Sequence, residues 1–214
     1  MPKRTVNHHA SIVVVRAEDS FFFNGYDAGY PRKEWVGCLN PLGGNHELGD
    51  VSPYSLLERE VREELTDPER KFENFAEPEA RALREAVMAN AAPYQDFVVF
   101  DPIIEKNKSL SREQRSAIVS LYTSNISLGL MIEAQHALRT GNRLTSEGDG
   151  GNVVSFDDLV SGKRHLAWTN PFMMRHYLGR DVPYLREAEA EPIGLPRETL
   201  AAYFPDFDYI KPIG

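Results

Sequence analysis

Apolar residues come in short blocks separated by polar, turn-rich stretches. Residues 11–15 read SIVVV and residues 21–23 read FFF, with the polar RAED between them. β-branched and aromatic blocks of this length, bounded by turn residues, predict two strands. GYPRKEWVG then reads as a surface loop leading back to a third apolar piece. NPLGGNHELGDVSP follows, with three glycines, and predicts a long turn-rich segment.

The next block has helical spacing. Ser52 is a good N-cap, and Pro53 falls at the first helical position, where its missing N–H costs little. Asp67 precedes Pro68 and is pushed out of the helical region, so the pattern predicts a helix over 53–66. At 100° per residue Tyr54, Leu57, Val61 and Leu65 fall within about 80° of one another and form the core-facing stripe. Glu64, Glu60 and Glu63 lie on one flank, about 20°, 60° and 120° from Leu57. Glu58 and Arg62 lie on the other flank at i,i+4, an ordinary surface ion pair.

EPEARALREAVMANAAP, rich in Ala, Glu and Arg, predicts a second helix over 77–93. DFVVFDPIIE reads as a strand that bends at Pro102. Over 111–140, SREQ resembles a capping box with Ser111 and Gln114 in its two roles. AIVSLYTS fits strand or helix equally, and GLMIEAQHALRTG reads as helix up to Gly141. After the acidic loop TSEGDGG, NVVSF predicts a strand and DDLVSG a short helix. The last thirty residues read as an extended segment with a short helix near 197–203.

Composition narrows the class. A chain of 214 residues with 42% hydrophobic and 26% charged residues can bury a full core. The net charge of −8 argues against nucleic acid or an anionic membrane as partner. It leaves room for an anionic small molecule held through a divalent cation. The single cysteine, Cys38, lies in the apolar WVGCL and reads as a buried packing thiol, compatible with a reducing cytoplasm. No stretch reaches the ~18 apolar residues of a membrane span, and MPKRTVNHHA lacks the apolar run of a signal peptide. His8 and His9 read as the lead-in to a strand.

The acids of the helix carry the candidate chemistry. Glu60 and Glu64 are like charges at i,i+4, which costs a few tenths of a kcal/mol unless something compensates. Arg59 offsets part of this, and a divalent ion would offset more. Mg²⁺ takes a few carboxylates, keeps several waters and uses substrate phosphate oxygens for the rest. A solvated helix face is the bland alternative for the same run.

Upstream of this helix stands GGNHELGD. Gly44 is followed by five residues and Asp50, then by eight residues and Arg59-Glu60-Val61-Arg62-Glu63-Glu64. This resembles the Nudix hydrolase signature G-x5-E-x7-R-E-U-x-E-E-x-G-U, where U is a bulky apolar residue. Asp50 stands for Glu, the second spacer is one residue longer, and Thr66 and Asp67 stand for Gly and an apolar residue. The extra residue precedes Ser52, so the helical phase is intact. VVSFDDLVSG resembles the family's last strand and the helix after it.

The resemblance implies an α/β (α+β) fold, an α/β/α sandwich around a mixed central sheet. A single domain over 1–214 would carry an insertion at about 70–145 and a C-terminal extension at about 180–214. It implies Mg²⁺ or Mn²⁺ on Glu60, Glu63 and Glu64, with the Gly44 carbonyl completing the protein ligands. Arg59 would orient the acids. The reaction would be hydrolysis of a diphosphate linkage in a nucleoside-diphosphate-like substrate. The general base would be Glu60, or Glu147 or Asp149 in TSEGDGG. Glu47 and Asp50 would bind through water or fix the loop.

Other readings stay open beside this one: a Nudix-like ligand-binding module without catalysis, and a structural α/β protein with a solvated acidic helix. The 70–145 segment could supply a lid, a homodimer interface or a specificity pocket. Tyr26, Trp35 and Phe100 could stack on a base, although strand aromatics are usually core.

Overall fold

The apolar blocks become strands buried on both faces of one sheet. The computed structural model describes residues 6–65, 78–100, 116–140, 150–185 and 193–194. Its strands are β1 (Val6–Ala17), β2 (Ser20–Gly25), β3 (Leu39–Asn40), β4 (Leu42–Asn45), β5 (Ala92–Phe100), β6 (Ser116–Asn125), β7 (Asn152–Ser155) and β8 (Ile193–Gly194). The helices are α1 (Pro53–Glu64), α2 (Pro78–Ala89), α3 (Leu128–Thr140), α4 (Phe156–Val160) and α5 (Asn170–Leu178). The strands run in the order β3-β2-β1-β6-β5-β8, with β4 also on β1 and β7 also on β2. β1 and β6 are parallel and the other strand pairs antiparallel, so the sheet is mixed.

Alternation along β1 and β2 sorts their side chains to two cores. Ile12, Val14, Phe21 and Phe23 pack with Leu159 of α4 and Met173 and Met174 of α5. Val13, Val15 and Phe22 pack with Leu57 and Val61 of α1, Leu83 and Val87 of α2, and Met131 and Leu138 of α3. Helices therefore cover both faces, giving an α/β/α arrangement around a mixed sheet. This explains VVV and FFF: a strand buried on both sides needs no polar alternation. Among the described residues no helix is long and apolar enough to cross a membrane.

α1 begins where Ser52 and Pro53 predict. The Ser52 hydroxyl accepts the Ser55 N–H at 3.0 Å, and the Ser55 hydroxyl accepts the Ser52 N–H at 2.9 Å, a capping box with serine in both roles. The helix stops at Glu64, two residues short of the expected end, and the Leu65 N–H caps it on Val61 O. Thr66 and Pro68 lie outside the described residues. Leu57, Val61 and Leu65 are fully buried, but Tyr54 is 42% exposed. Leu56, not Tyr54, fills the first-turn core position, while the Tyr54 hydroxyl donates to the Met88 carbonyl at 3.1 Å. Burying each of these aliphatic side chains contributes roughly 1.5–3 kcal/mol. That outweighs the few tenths lost to like charges on the same helix.

Two other segments differ from the sequence expectation, and a third settles a reading that the sequence left open. The glycine-rich stretch is not all turn: Leu42–Asn45 forms β4, with Gly44 opposite Ser11 and Gly43 opposite Ile12. The second helix ends at Ala89 rather than 93, because residues from Ala92 already pair with β6. AIVSLYTS is strand, set parallel to β1 with Ile12 opposite Leu121. α3 runs to Thr140, close to the expected Gly141, and NVVS and FDDLV form the expected strand and short helix. Ser111, Gln114 and the segment 197–203 lie outside the described residues.

α5 has no counterpart in the sequence reading, although its punctuation is visible. Pro171 stands in its first turn and Gly179 caps it at φ 61°, the left-handed conformation that favours glycine. Cys38 is buried, as its apolar setting predicts.

Candidate functional site

α1 lies on the sheet so that its acidic flank meets β4. Gly43 N–H donates to Glu64 Oε2 at 2.7 Å. Glu64 is buried, only 4% exposed, and this charge-assisted bond offsets part of the cost of burying its carboxylate. Gly43 has φ 130°, and an added Cβ would collide with the Ser11 carbonyl. Glycine is what lets β4 approach β1 this closely.

Gly44 makes room in a second way. A Cβ on Gly44 would collide with the carboxylate of Glu60. The absent side chain is thus a cradle against the β4 backbone, and the Glu60 carboxylate fills it. Both glycines place acids of α1 against main chain, one through an N–H and one through empty space.

Arg59 ties the loop to the helix. Its Nε donates to Asp50 Oδ1 at 3.1 Å and its Nη2 to Asp50 Oδ2 at 3.0 Å. Nη2 also donates to the Asn45 carbonyl at 2.7 Å. Nη1 contacts Glu60 Oε1 at 2.9 Å and donates to Glu63 Oε2 at 3.1 Å. One guanidinium therefore holds three carboxylates and the end of β4, using the planar fork that lysine lacks. Asp50 Oδ2 further accepts the Glu47 N–H at 2.9 Å, closing the turn 47–50. Asp50 serves both as loop cap and as clamp partner.

Burial pushes the Asp50 carboxyl up, but the Arg59 hydrogen bonds, the Glu47 N–H and the charges of Arg59 and His46 outweigh it. The group stays below the usual aspartate range. Its hydrogen bond with Asp50 above all, against the opposing effect of burial, raises Arg59 above its ordinary value, with Glu60 and Glu63 adding to the rise. Glu60, Glu63 and Glu64 also stand in the last turns of α1, where the helix end is itself negative. The local field favours cations.

As placed, Arg59 Nη1 holds both Glu60 and Glu63, Glu60 also fills the Gly44 cradle, and Glu64 accepts the Gly43 N–H. Among the described residues no three His, Cys, Asp or Glu side chains are gathered closely enough to hold a metal ion. The donor chemistry nonetheless suits Mg²⁺ or Mn²⁺: hard carboxylate oxygens beside a glycine backbone that an ion can approach. Glu147 and Asp149 lie outside the described residues. The sequence reading missed the Asn45 carbonyl as an Arg59 partner, since a main-chain acceptor leaves no mark in a sequence.

Beside this acidic end lies a separate aromatic cluster. Tyr26, Cys38 and Ala167 form its buried part, with Tyr30, Trp35 and Trp168 packed half-buried around them. The Tyr26 and Tyr30 rings stack at 3.8 Å, and Trp35 and Trp168 lie 5.3 Å apart. Trp168 Nε1 donates to the Tyr26 hydroxyl at 3.0 Å. Tyr26 keeps its proton: burial first, then the charges of Tyr30 and Glu64, push its pKa up. A cavity of about 350 Å³ opens elsewhere, around Arg16, Asp19, Phe156 and Tyr177, and holds none of the α1 acids.

No family model matches this chain, and no curated protein matches it. Several solved structures do align. A mutT/nudix family protein from Listeria innocua is 13% identical, over 82% of this chain and 94% of that one, with a TM-score of 0.49. A NUDIX hydrolase from Nitrosomonas europaea is 14% identical over 82% and 92%, with a TM-score of 0.43. The mMutator MutT protein from Bacillus halodurans is 14% identical over 82% and 84%, with a TM-score of 0.43. At these values the likeness is one of outline alone.

Proposed function

We propose that this chain is a divalent-cation-dependent hydrolase that cleaves a diphosphate linkage in a nucleoside-diphosphate-like compound. The observation that carries this reading is the Arg59 clamp. It fixes Asp50, Glu60, Glu63 and the end of β4 as one unit, with Glu60 set in the Gly44 cradle. A solvated helix face needs neither the cradle nor a buried Glu64.

Glu60, Glu63 and Glu64 would hold Mg²⁺ or Mn²⁺, with the Gly44 carbonyl as the main-chain donor. The cation, when bound, neutralises phosphate oxygens and lowers the pKa of an attacking water. Arg59 fixes the direction of Glu60 and Glu63, so that little reorganisation remains at the moment of reaction. Glu60 is the candidate general base within the described residues, and Glu147 or Asp149 the candidates outside them. Asp50 keeps the Arg59 fork in place.

A ligand-binding module without catalysis is the second reading. The existing protein partners favour it: Arg59 holds Glu60 and Glu63, and Glu64 takes the Gly43 N–H, so a cation would have to compete with them. A screen of nucleoside-diphosphate compounds with Mg²⁺ and Mn²⁺ separates the two. The hydrolase releases product, whereas a binder raises the melting temperature and releases none.

A further inference from the structure

Three serines are buried on the face of the sheet that carries α1, and one of them is unlike the others. The Ser120 hydroxyl lies 3.1 Å from His9 Nε2, and the Ser124 hydroxyl donates to the Val87 carbonyl at 3.0 Å. Ser11 is 0% exposed, and its Oγ has no hydrogen-bond partner among the described residues. A buried hydroxyl left unsatisfied costs stability, and folded proteins normally avoid it. Alanine would fill the same place without that cost, so the hydroxyl calls for a reason other than packing.

Strand register shows what stands beside it. Ser11 shares its face of β1 with Val13 and Val15, which pack on Leu57 and Val61 of α1. On one side Ser11 is paired with Ser120 of β6, whose hydroxyl already has His9. On the other side it is paired with Gly44 of β4. Directly opposed residues of antiparallel strands hold their Cβ atoms roughly 5 Å apart on one face. The place a Gly44 Cβ would take is the place the Glu60 carboxylate fills. The bare glycine thus puts the Glu60 carboxylate where the side chain opposite Ser11 would stand.

We infer that Ser11 positions Glu60 for the cation, its hydroxyl donating to the Glu60 carboxylate directly or through one water. Glu64 already has a neutral donor of this kind in the Gly43 N–H. Glu60 has Arg59 Nη1 at 2.9 Å, and shares it with Glu63. A bound cation repels that guanidinium and competes for the oxygens it holds. A neutral hydroxyl on the sheet side adds no such repulsion, and a carboxylate has lone pairs for both. Carboxylates that hold a metal are themselves held by outer hydrogen bonds, and losing one weakens metal binding by about 10–100-fold. Ser11 acts through Glu60, as a positioning residue. The inference rests on the cation-binding reading of the α1 acids, and its test needs no turnover.

Mn²⁺ is titrated into the full chain, with the free ion read by its paramagnetic resonance, and Mg²⁺ is added as competitor. Ser11→Ala removes the unsatisfied hydroxyl and leaves the Cβ in place. It is expected to melt no lower than the wild type yet bind Mn²⁺ at least tenfold more weakly. Ser120→Ala is the matched control on the neighbouring strand. It deprives His9 Nε2 of its partner, so it is expected to melt lower and bind Mn²⁺ as the wild type does.

Unchanged Mn²⁺ affinity in Ser11→Ala would overturn the inference and leave the cation reading standing. An equal loss of affinity in Ser120→Ala would also overturn it, because the effect would then belong to the packing of the sheet. So would a fall in melting temperature in Ser11→Ala as large as that in Ser120→Ala. A wild-type chain that binds no Mn²⁺ sinks the cation reading, and the role of Ser11 with it.

Discussion

Arg59 grips Asp50 with two nitrogens, Nε at 3.1 Å and Nη2 at 3.0 Å, one to each carboxylate oxygen. The two stand nine positions apart in sequence, and they join the loop after β4 to the middle of α1. The aspartate is one methylene shorter than a glutamate, in a loop one residue longer than the resembled signature. The pair still closes with both oxygens engaged.

Arg59→Lys tests this fork. Lysine keeps the charge but cannot match both Asp50 oxygens and the Asn45 carbonyl. The variant should lose about 1.5–3 kcal/mol of stability, the scale of charged hydrogen bonds. Urea unfolding reads the loss directly, and an unchanged midpoint would show the clamp to be decorative.

The same pair sets an acid limit. The Asp50 carboxyl is depressed in the folded state, so its contribution is fully present above the ordinary aspartate value of 3.8. It is lost as pH falls through the lower folded value. Asp50→Asn should therefore be less stable than the wild type near neutral pH, and the gap should narrow in acid below that value. Melting curves across this range check the sign; a gap that widens in acid contradicts it.

Gly43 and Gly44 should fail differently when replaced by alanine. At Gly43 the new Cβ meets the Ser11 backbone, which cannot yield, and φ 130° is itself unfavourable for alanine. Gly43→Ala should lose roughly 1–3 kcal/mol or more from conformation alone. At Gly44 the obstacle is the mobile end of Glu60, which can swing aside. Gly44→Ala should fold nearly normally and lose about 100-fold in turnover, the scale of a misplaced catalytic group. Unfolding curves beside turnover separate the two outcomes.

Ser52→Ala is the control that touches only the helix start. It removes the acceptor for the Ser55 N–H and should cost about 1 kcal/mol with turnover unchanged. A loss of activity in this variant would mean that the pose of α1 is less firmly held by its core face than the burial of Leu57 and Val61 implies.

What the sequence made legible was local. Ser52 and Pro53 mark the start of α1 through their own chemistry, and the 3.6-residue period puts Glu64 beside the buried edge. Tyr54 lay on the same stripe by angle, but an angle does not say that its hydroxyl would reach the Met88 carbonyl and leave the ring part exposed. β4 was hidden because glycines read as turn, and only pairing with Ser11 and Ile12 of β1 makes that segment a strand. AIVSLYTS needed its parallel partner β1, more than a hundred residues earlier, to settle between strand and helix. In the candidate site the acids and Arg59 could be read, and their main-chain partners could not. The Asn45 carbonyl and the Gly43 N–H are main-chain groups, which every residue carries whatever its side chain.

The central claim is that the α1 glutamates hold a cation for diphosphate hydrolysis. Glu63→Gln and Glu64→Gln test it, with turnover measured on whichever nucleoside-diphosphate compound the Mg²⁺ or Mn²⁺ screen identifies. Glu63 is half exposed, and glutamine at 64 keeps an amide oxygen for the Gly43 N–H, so both variants should fold. The account predicts a fall of about 100-fold or more, equivalent to about 3 kcal/mol of barrier, at near wild-type melting temperature. Wild-type turnover in either folded variant would contradict it.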